Sequence, residues 1–504
     1  MSNVAAATPR FITTTDPQTG RQETTTIHET SQTQLDATCR KAEEAAMFLG
    51  AAPRKWRASL LTTMADSLES DREGLVEIAG AETALGSARL QSELTRSILQ
   101  FRLFAEAVKE GSFLEATIDH ASGTVDAPLP EIRRMLVPVG PVAVFGASNF
   151  PFAFSVAGGD TASGLAAGAP VVVKAHSSHP LTSQRSFNRL VQAARSAGSP
   201  EGTISIVYGH QAGRDLVAHP SIKAASFTGS LSGGKALQAI IDSRSAPIPF
   251  FAELSSLNPL VVFPRAAEAR SVEIANGILA SVTGSGGQLC TKPGIVFLPA
   301  TNEGRKLAEL VRRGAKKADG HALLNKRIFD EYVASTEATT TYGADRGGFW
   351  VRPSVSSTST QDLAPSHTRE VFGPHVVLVS YTDIGKLGDA ILGLSDSLTA
   401  TIHADKDDAA EMRPLAAKLA GRTGRLIFNG FPTGVRVSWG QNHGGPWPST
   451  NSQHTSVGVS AMRRFLRPLA WQNAPQSVLP TELHDLDSDI PRRVDGKLTL
   501  PATA

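Results

Sequence analysis

The chain has 504 residues, too many for one ordinary domain, and its 41% hydrophobic and 19% charged residues can fill a real core. Lys and Arg number 49 and Asp and Glu 47, so the formal charge is +2 and offers no global field for nucleic acid or an anionic membrane. Only two cysteines are present, Cys39 and Cys290, which excludes a disulfide framework and a cysteine zinc site and leaves at most a single reactive thiol.

The opening MSNVAAATPR lacks a basic segment followed by an apolar one, so a signal peptide is not expected. Asp16, Glu23 and Glu29 argue against an acid-poor transit peptide. No run reaches the roughly 18 apolar residues of a spanning helix. The best candidate, Leu165 to Val173, is broken by Gly168 and Pro170. A cytoplasmic setting without membrane attachment is the expectation. The 13 histidines include no HExxH pair, and His176 and His179 read as polar loop groups, so no metal is expected.

The first 35 or so residues are polar, with DPQTG at 16–20 as a turn. From Ala37 to about Lys109, apolar residues recur at three and four, which predicts amphipathic helices. Cys39 falls in the first of these and reads as a buried structural thiol. Next, PVAVFG (141–146) predicts a strand, the small-residue stretch 155–168 a close-packed helix, and APVVVKA (169–175) a second strand. Alternation continues through TISIVYG, AGRDLVAH, IKAASFTGS, GGKALQAII, FFAEL and NPLVVF. This predicts an α/β fold with a doubly wound parallel sheet, whose ligands bind at the carboxyl ends of the strands. The first strand runs into FGASNF, so any dinucleotide site lacks the usual GxGxxG turn. A second α/β segment, about 254 to 450, contains strand-like IVFLP, HVVLVSY and RLIFNG, and a polar tail begins at 475.

Three features carry chemistry. TGSGGQLCTKPG (283–294) presents Cys290 from a glycine-rich loop, where its N–H is free to meet a substrate oxygen. Glu253 in FFAELSSLNP follows an apolar run, where a desolvated carboxyl can act as a general base. Asn149 in FGASNFPF lies just past a strand end, where its amide can donate to an oxyanion. Taken singly, each also has an ordinary structural explanation.

Together and in this order they resemble the NAD(P)-dependent aldehyde dehydrogenase superfamily. The marks are GASNFPF (146–152), VVVK (171–174), FTGS (227–230), AELSSLNP (252–259), GQLCTKPG (287–294) and EVFGP (370–374). The resemblance implies two Rossmann-like parallel-sheet domains plus a small bridging flap. It implies Cys290 as the nucleophile that forms a thiohemiacetal and then a thioester, with Asn149 and the Cys290 N–H holding the oxyanion. Glu253 would activate the hydrolytic water. Glu370 and Phe372 would seat the nicotinamide ribose and ring, and Lys174 the adenosine ribose. Gly229, Ser230 and Gly234 would form the phosphate-side turn. Ser177 stands where NAD-preferring members carry a ribose-chelating glutamate, so NADP is favoured, with NAD also possible. His210 or Arg214 is the candidate partner of its 2′-phosphate, although Arg214 also reads as a surface helix charge.

SNFPFAFSVAGGDTASGLAAG, VVVKAHSSHP, HGGPWPST and TSVGVSAMRRFLRP are similar to the branch that contains 2-oxoglutarate semialdehyde (2,5-dioxovalerate) dehydrogenases, to which NADP-dependent fatty aldehyde dehydrogenases are related. The segment 435–443, VRVSWGQNH, departs from that branch and leads into the substrate tunnel at His443. Phe150 and Phe152 are expected to flank the tunnel. Arg89, Arg96 and Arg436 are candidates to hold a distal carboxylate. The implied partner is a small aldehyde, with an aliphatic or aromatic aldehyde, or a binding homologue that has lost catalysis, as the alternatives. Residues 1–115 and 139–252 are expected to bind NADP and 253–450 to carry catalysis. Residues 116–138 with 475–504 are expected to bridge to a neighbour in a homodimer or homotetramer.

Overall fold

The β-branched runs and small-residue helices of the sequence become two wholly parallel sheets in the computed structural model, which describes residues 10–336, 347–486 and 488–501. The polar N-terminal stretch is more than a turn. Its Thr-rich segments pair as a hairpin, β1 (Phe11–Thr15) with β2 (Gln22–His28), around the expected turn. Thr25 and Ile27 point inward on alternate positions of β2. Helix α1 (Gln32–Ala51) begins five residues before the apolar periodicity does. Ser31 and Gln34 start it by satisfying each other's backbone N–H groups, a capping box written S-x-x-Q in the sequence. Helices α2 (Arg54–Glu69), α3 (Arg72–Thr83) and α4 (Ser87–Glu110) follow, and Gly111, at φ +80°, ends α4.

A short strand β3 (Thr117–Asp119), the hairpin β4 (Ser122–Thr124) and β5 (Ala127–Leu129), and β6 (Ile132–Pro138) lead into the first parallel sheet. That sheet is built from β7 (Val142–Phe145), α5 (Gly159–Ala167), β8 (Val171–Lys174), α6 (Pro180–Ser196), β9 (Ile204–Val207), α7 (His210–Ala218), β10 (Ala224–Thr228), α8 (Leu231–Asp242) and β11 (Phe250–Glu253). Its strand order is β11-β10-β7-β8-β9. Every residue of α5 is buried, and a Cβ on Gly164 would stand 2.8 Å from Val171, so only glycine lets this helix lie so near the sheet.

The second sheet begins with β12 (Leu260–Val262), α9 (Pro264–Thr283), β13 (Ile295–Pro299) and α10 (Asn302–Lys317). A small pair, β14 (His321–Ala322) with β15 (Trp350–Val351), flanks α11 (Lys326–Ser335). β16 (Ser354–Ser359), β17 (His375–Tyr381), α12 (Ile384–Leu392), β18 (Ser397–His403), α13 (Ala409–Ala420) and β19 (Thr423–Phe428) complete it in the order β16-β17-β13-β12-β18-β19. A third sheet joins distant parts of the chain, because β20 (Leu466–Gln472), β21 (Arg492–Val494) and β22 (Lys497–Thr499) pair with β3 and β6 in the order β20-β6-β3-β21-β22. Among the described residues, no helix is long and apolar enough to cross a membrane.

One buried carboxylate ties the N-terminal elements together. Glu82, at the end of α3, accepts from the N–H groups of Leu181 (2.9 Å) and Thr182 (2.8 Å) at the start of α6, and from the hydroxyls of Thr182 (2.7 Å) and Thr14 (2.8 Å). Glu82→Ala leaves those buried N–H groups without an acceptor and is expected to cost about 2–3 kcal/mol. Urea unfolding checks this, and an unchanged midpoint would refute it.

Candidate active site

The carboxyl ends of the first sheet face the glycine loop of the second. Glu253 is the last residue of β11, Asn149 lies in the turn after β7, and Cys290 ends the loop that leaves α9. The Glu253 backbone is held from two sides: its carbonyl accepts from Gly229 N–H at 3.0 Å, and across the bridge to Thr450 its neighbour Leu254 donates to the Ser449 carbonyl at 2.8 Å. The Cys290 loop is fixed by Asn258, whose amide donates to the carbonyls of Cys290 (2.8 Å) and Lys292 (2.9 Å). Asn258 sits in the AELSSLNP motif without an assigned role, and its φ of +56° marks it as a shaped position.

The structure adds a fourth member. His443 Nε2 stands 2.9 Å from Glu253 Oε1 and 3.6 Å from Cys290 Sγ. The sequence places His443 in the substrate tunnel, and it does line that chamber, but its ring also joins the thiol to the carboxylate. Glu253 is 4% exposed and His443 2%. Burial alone would raise the Glu253 carboxyl, but the His443 ring and the Ser456 hydroxyl, which donates to Oε2 at 2.9 Å, outweigh it and hold the group below its ordinary value. Burial pushes the Cys290 thiol well above its ordinary range, the Glu253 charge adds to this, and Arg96 opposes it. Burial and the Glu253 charge thus both favour the thiol over the thiolate. The donor atoms of Glu253, Cys290 and His443 lie within 4.8 Å of one another. Asn149 is 7% exposed, and its Nδ2 donates to the Gln288 carbonyl at 2.9 Å, beside the thiol. The Cys290 N–H has no hydrogen-bond acceptor among the described residues.

Two cavities meet at Cys290. The larger, about 500 Å³, runs between the sheets and is lined by Gly229, Ser230, Glu370, Phe372, Asn149 and Glu253, among others. Ser230 caps the 12-residue helix α8, so N–H groups face this cleft. Lys174 ends β8 and faces no carboxylate, and burial pushes its ammonium down to about 8. These features fit a dinucleotide: amides for phosphate, an ammonium for a ribose and a carboxylate for the other ribose. Three expected cofactor residues stand outside the cavity. Lys174 and Ser177 lie beside its wall at His176, and Arg214 is exposed on α7, next to the Gly213 that packs on the Lys174 stem. Gly234 is a correction. A Cβ there would lie 2.4 Å from Leu254, so it serves helix packing, and Gly233 lines the cleft instead.

The smaller cavity, about 350 Å³, contains Arg89, Glu93, Arg96, Phe150, Phe154 and His443 with Cys290. Phe152 is the second correction. It is fully buried in the core, because the tight turn from Phe150 to Ser155 brings Phe150 and Phe154 to the same side, their rings 5.2 Å apart. Arg436 is exposed and absent from the chamber lining, to which its neighbours Gly434 and Val435 contribute. Arg96 lines this chamber. Its Nε and Nη2 are buried without a hydrogen-bond partner, and its guanidinium lies 5.1 Å from the Phe154 ring.

Two facing parallel sheets, with a thiol, an imidazole and a carboxylate at the junction of two cavities, define an α/β oxidoreductase that works on a small substrate. The model of the aldehyde dehydrogenase family matches residues 4–467, and the chain belongs to that family, whose members oxidise aldehydes with NAD or NADP. It is 40% identical to an alpha-ketoglutaric semialdehyde dehydrogenase 2 of Azospirillum brasilense over 93% of this chain and 92% of the relative. It is also 40% identical to an alpha-ketoglutaric semialdehyde dehydrogenase of Acinetobacter baylyi over 92% and 91%. Among solved structures, a 1-pyrroline-5-carboxylate dehydrogenase from Thermus with bound NAD aligns with a TM-score of 0.77 at 19% identity, over 92% of this chain and 90% of that one. An aldehyde dehydrogenase of Pseudomonas syringae in complex with NAD+ and octanal aligns at 0.76 and 20%, over 94% and 95%. These structural likenesses show the fold alone.

Burial pushes the Glu370 carboxyl up to about 7 against the pull of Ser255 and Lys292. Ribose hydroxyls donate to the ionised form, so cofactor affinity should rise as pH climbs through about 7. About a tenfold gain between pH 6 and pH 8 is expected, with no slope in Glu370→Gln. Titration of the dinucleotide by protein fluorescence checks this, and a flat wild-type profile would remove Glu370 from the ribose site.

Proposed function

We propose that this chain oxidises 2-oxoglutarate semialdehyde to 2-oxoglutarate through a covalent adduct at Cys290, with NADP used in preference to NAD. The two relatives at 40% identity support the substrate. The observation that carries the reading is Arg96, with two buried guanidinium nitrogens left unpartnered in the chamber that also holds the thiol. An unpaired buried cation is costly, and a carboxylate at the far end of a short semialdehyde relieves that cost. Ser177 supports NADP, since no carboxylate stands there to repel a 2′-phosphate, and Arg214 on α7 is the cation offered to it.

The aldehyde carbon is attacked by Cys290 Sγ, whose proton passes to the Glu253 carboxylate that shares a hydrogen bond with the thiol. His443 Nε2–H, 2.9 Å from Glu253 Oε1, holds that carboxylate ionised and in place until the proton arrives. The negative charge gathers on the former carbonyl oxygen, which Asn149 Nδ2 and the Cys290 N–H receive. A nicotinamide held by Glu370 and Phe372 would supply the two-electron oxidant by taking the hydride from that carbon, and the proton on Glu253 leaves to solvent before water is activated. The acyl group left on sulfur is then released by water, with the Glu253–His443 pair taking the water's proton. Sulfur departs as a thiolate and is reprotonated to the neutral thiol that the buried pocket favours. Residues 1–115 and 139–252 form the cofactor part of this reading and 253–450 the catalytic part. The bridging segments, 116–138 and 475–504, meet a neighbouring subunit in a dimer or tetramer. Their shared sheet, in which β3 pairs with β21, supports that role.

An aldehyde panel assayed with both cofactors tests this. Aldehydes ending in a carboxylate should be preferred, and NADP should surpass NAD. Arg96→Met should raise KM for the carboxylated aldehydes at least about tenfold and spare octanal. Equal KM values for charged and uncharged aldehydes in the wild type would defeat the substrate reading.

A further inference from the structure

Glu93 is a fully buried carboxylate that the chemistry above does not use. It lies on α4 at the edge of the substrate chamber, and its side chain is 0% exposed. One oxygen, Oε1, accepts from the backbone N–H groups of Phe152 at 2.8 Å and Ala153 at 2.9 Å. The other, Oε2, accepts from Arg89 Nη1 at 2.7 Å. Arg89 in turn donates from Nε to Ser285 Oγ at 3.0 Å, and its guanidinium stands 4.6 Å over the ring of Phe150. Ser285 adopts φ +53° in the loop that ends at Cys290.

This chain of contacts spans the active site. Phe150, Phe152 and Ala153 belong to the turn that begins at Asn149, which leaves the first sheet. Ser285 belongs to the loop that delivers Cys290 from the second sheet. Glu93 grips the first turn directly and the second loop through Arg89. The direct contact between the two segments is the Asn149 bond to the Gln288 carbonyl, and that amide has to turn toward substrate when an oxyanion forms. A carboxylate beside this chamber works against an anionic substrate and a thiolate, so attraction of substrate does not account for it. A neutral apolar residue in its place would leave two buried N–H groups unpaired.

We infer that Glu93 is a positioning residue for the oxidation: it holds the Asn149 turn in register with the Cys290 loop, so that the amide meets the oxyanion as sulfur attacks. The inference rests on the reading of Asn149 as the oxyanion donor. A double-mutant cycle on the full-length enzyme tests it, with kcat and KM measured for one carboxylated aldehyde under saturating cofactor. Glu93→Ala should lower kcat about 10- to 100-fold with little change in KM, since the loss falls on the transition state. On an Asn149→Ala background the same change should cost less than about threefold, because the group it positions is gone. Glu93→Gln keeps an acceptor for the two amides and breaks only the ion pair. Its kcat should fall between wild type and Glu93→Ala, and it carries the same comparison where the alanine variant does not fold. Equal fold-losses on the two backgrounds would show a merely structural carboxylate and overturn the inference, as would an undiminished kcat. Full activity of Asn149→Ala alone is a distinct result: it removes the oxyanion reading, and Glu93 then has nothing to position.

Discussion

Three ionisable groups crowd together at the meeting of two cavities, and burial works against leaving all of them charged. Glu253, His443 and Cys290 are packed with the imidazole Nε2 between sulfur and carboxylate. A buried carboxylate without partners costs several kcal/mol, so Glu253 keeps its charge only because His443 and Ser456 donate to it. That same charge, with burial, disfavours a second anion on sulfur. The thiol form is thereby favoured, and its activation needs an acceptor for its proton. In the reaction proposed above, reactivity is coupled to the arrival of an aldehyde, whose oxygen would take over the negative charge and carry it toward Asn149.

The fold supplies this arrangement by setting two parallel sheets end to end. Strand β11 delivers Glu253, the turn after β7 delivers Asn149, and the loop from α9 delivers Cys290. The dinucleotide cleft and the substrate chamber approach the thiol as separate cavities, so both reactants can reach one carbon. The helices before the first sheet take part as well. Helix α4 lends Arg89, Glu93 and Arg96 to the chamber. On a chain with almost no net charge, Arg96 brings a local positive charge to this chamber, with its Nε and Nη2 without hydrogen-bond partners.

Much of this is legible in the sequence where function is written locally. Alternating β-branched runs and small-residue stretches foretell the first parallel sheet, and Cys290, Glu253 and Asn149 each sit in a short contiguous motif near a strand end. What escapes is pairing across long separations. Nothing local to HGGP says that His443 will rest against a cysteine 153 positions away. Glu93 reads as one more polar position on an amphipathic helix until the turn it holds is seen. The choice between Phe152 and Phe154 depends on how tightly the chain turns after Phe150, which a proline at 151 suggests but does not determine. The N-terminal hairpin escapes for another reason, since Thr-rich segments of mostly exposed residues give little apolar alternation.

The central claim is that Glu253, kept ionised by His443, receives the proton of the Cys290 thiol. The most direct measurement is the rate of Cys290 alkylation by iodoacetamide across pH 6–9, with Cys290→Ala as the blank for the buried Cys39. The account predicts that His443→Ala slows alkylation at neutral pH by about tenfold or more and moves the profile to higher pH. Identical profiles for the wild type and the variant would contradict it.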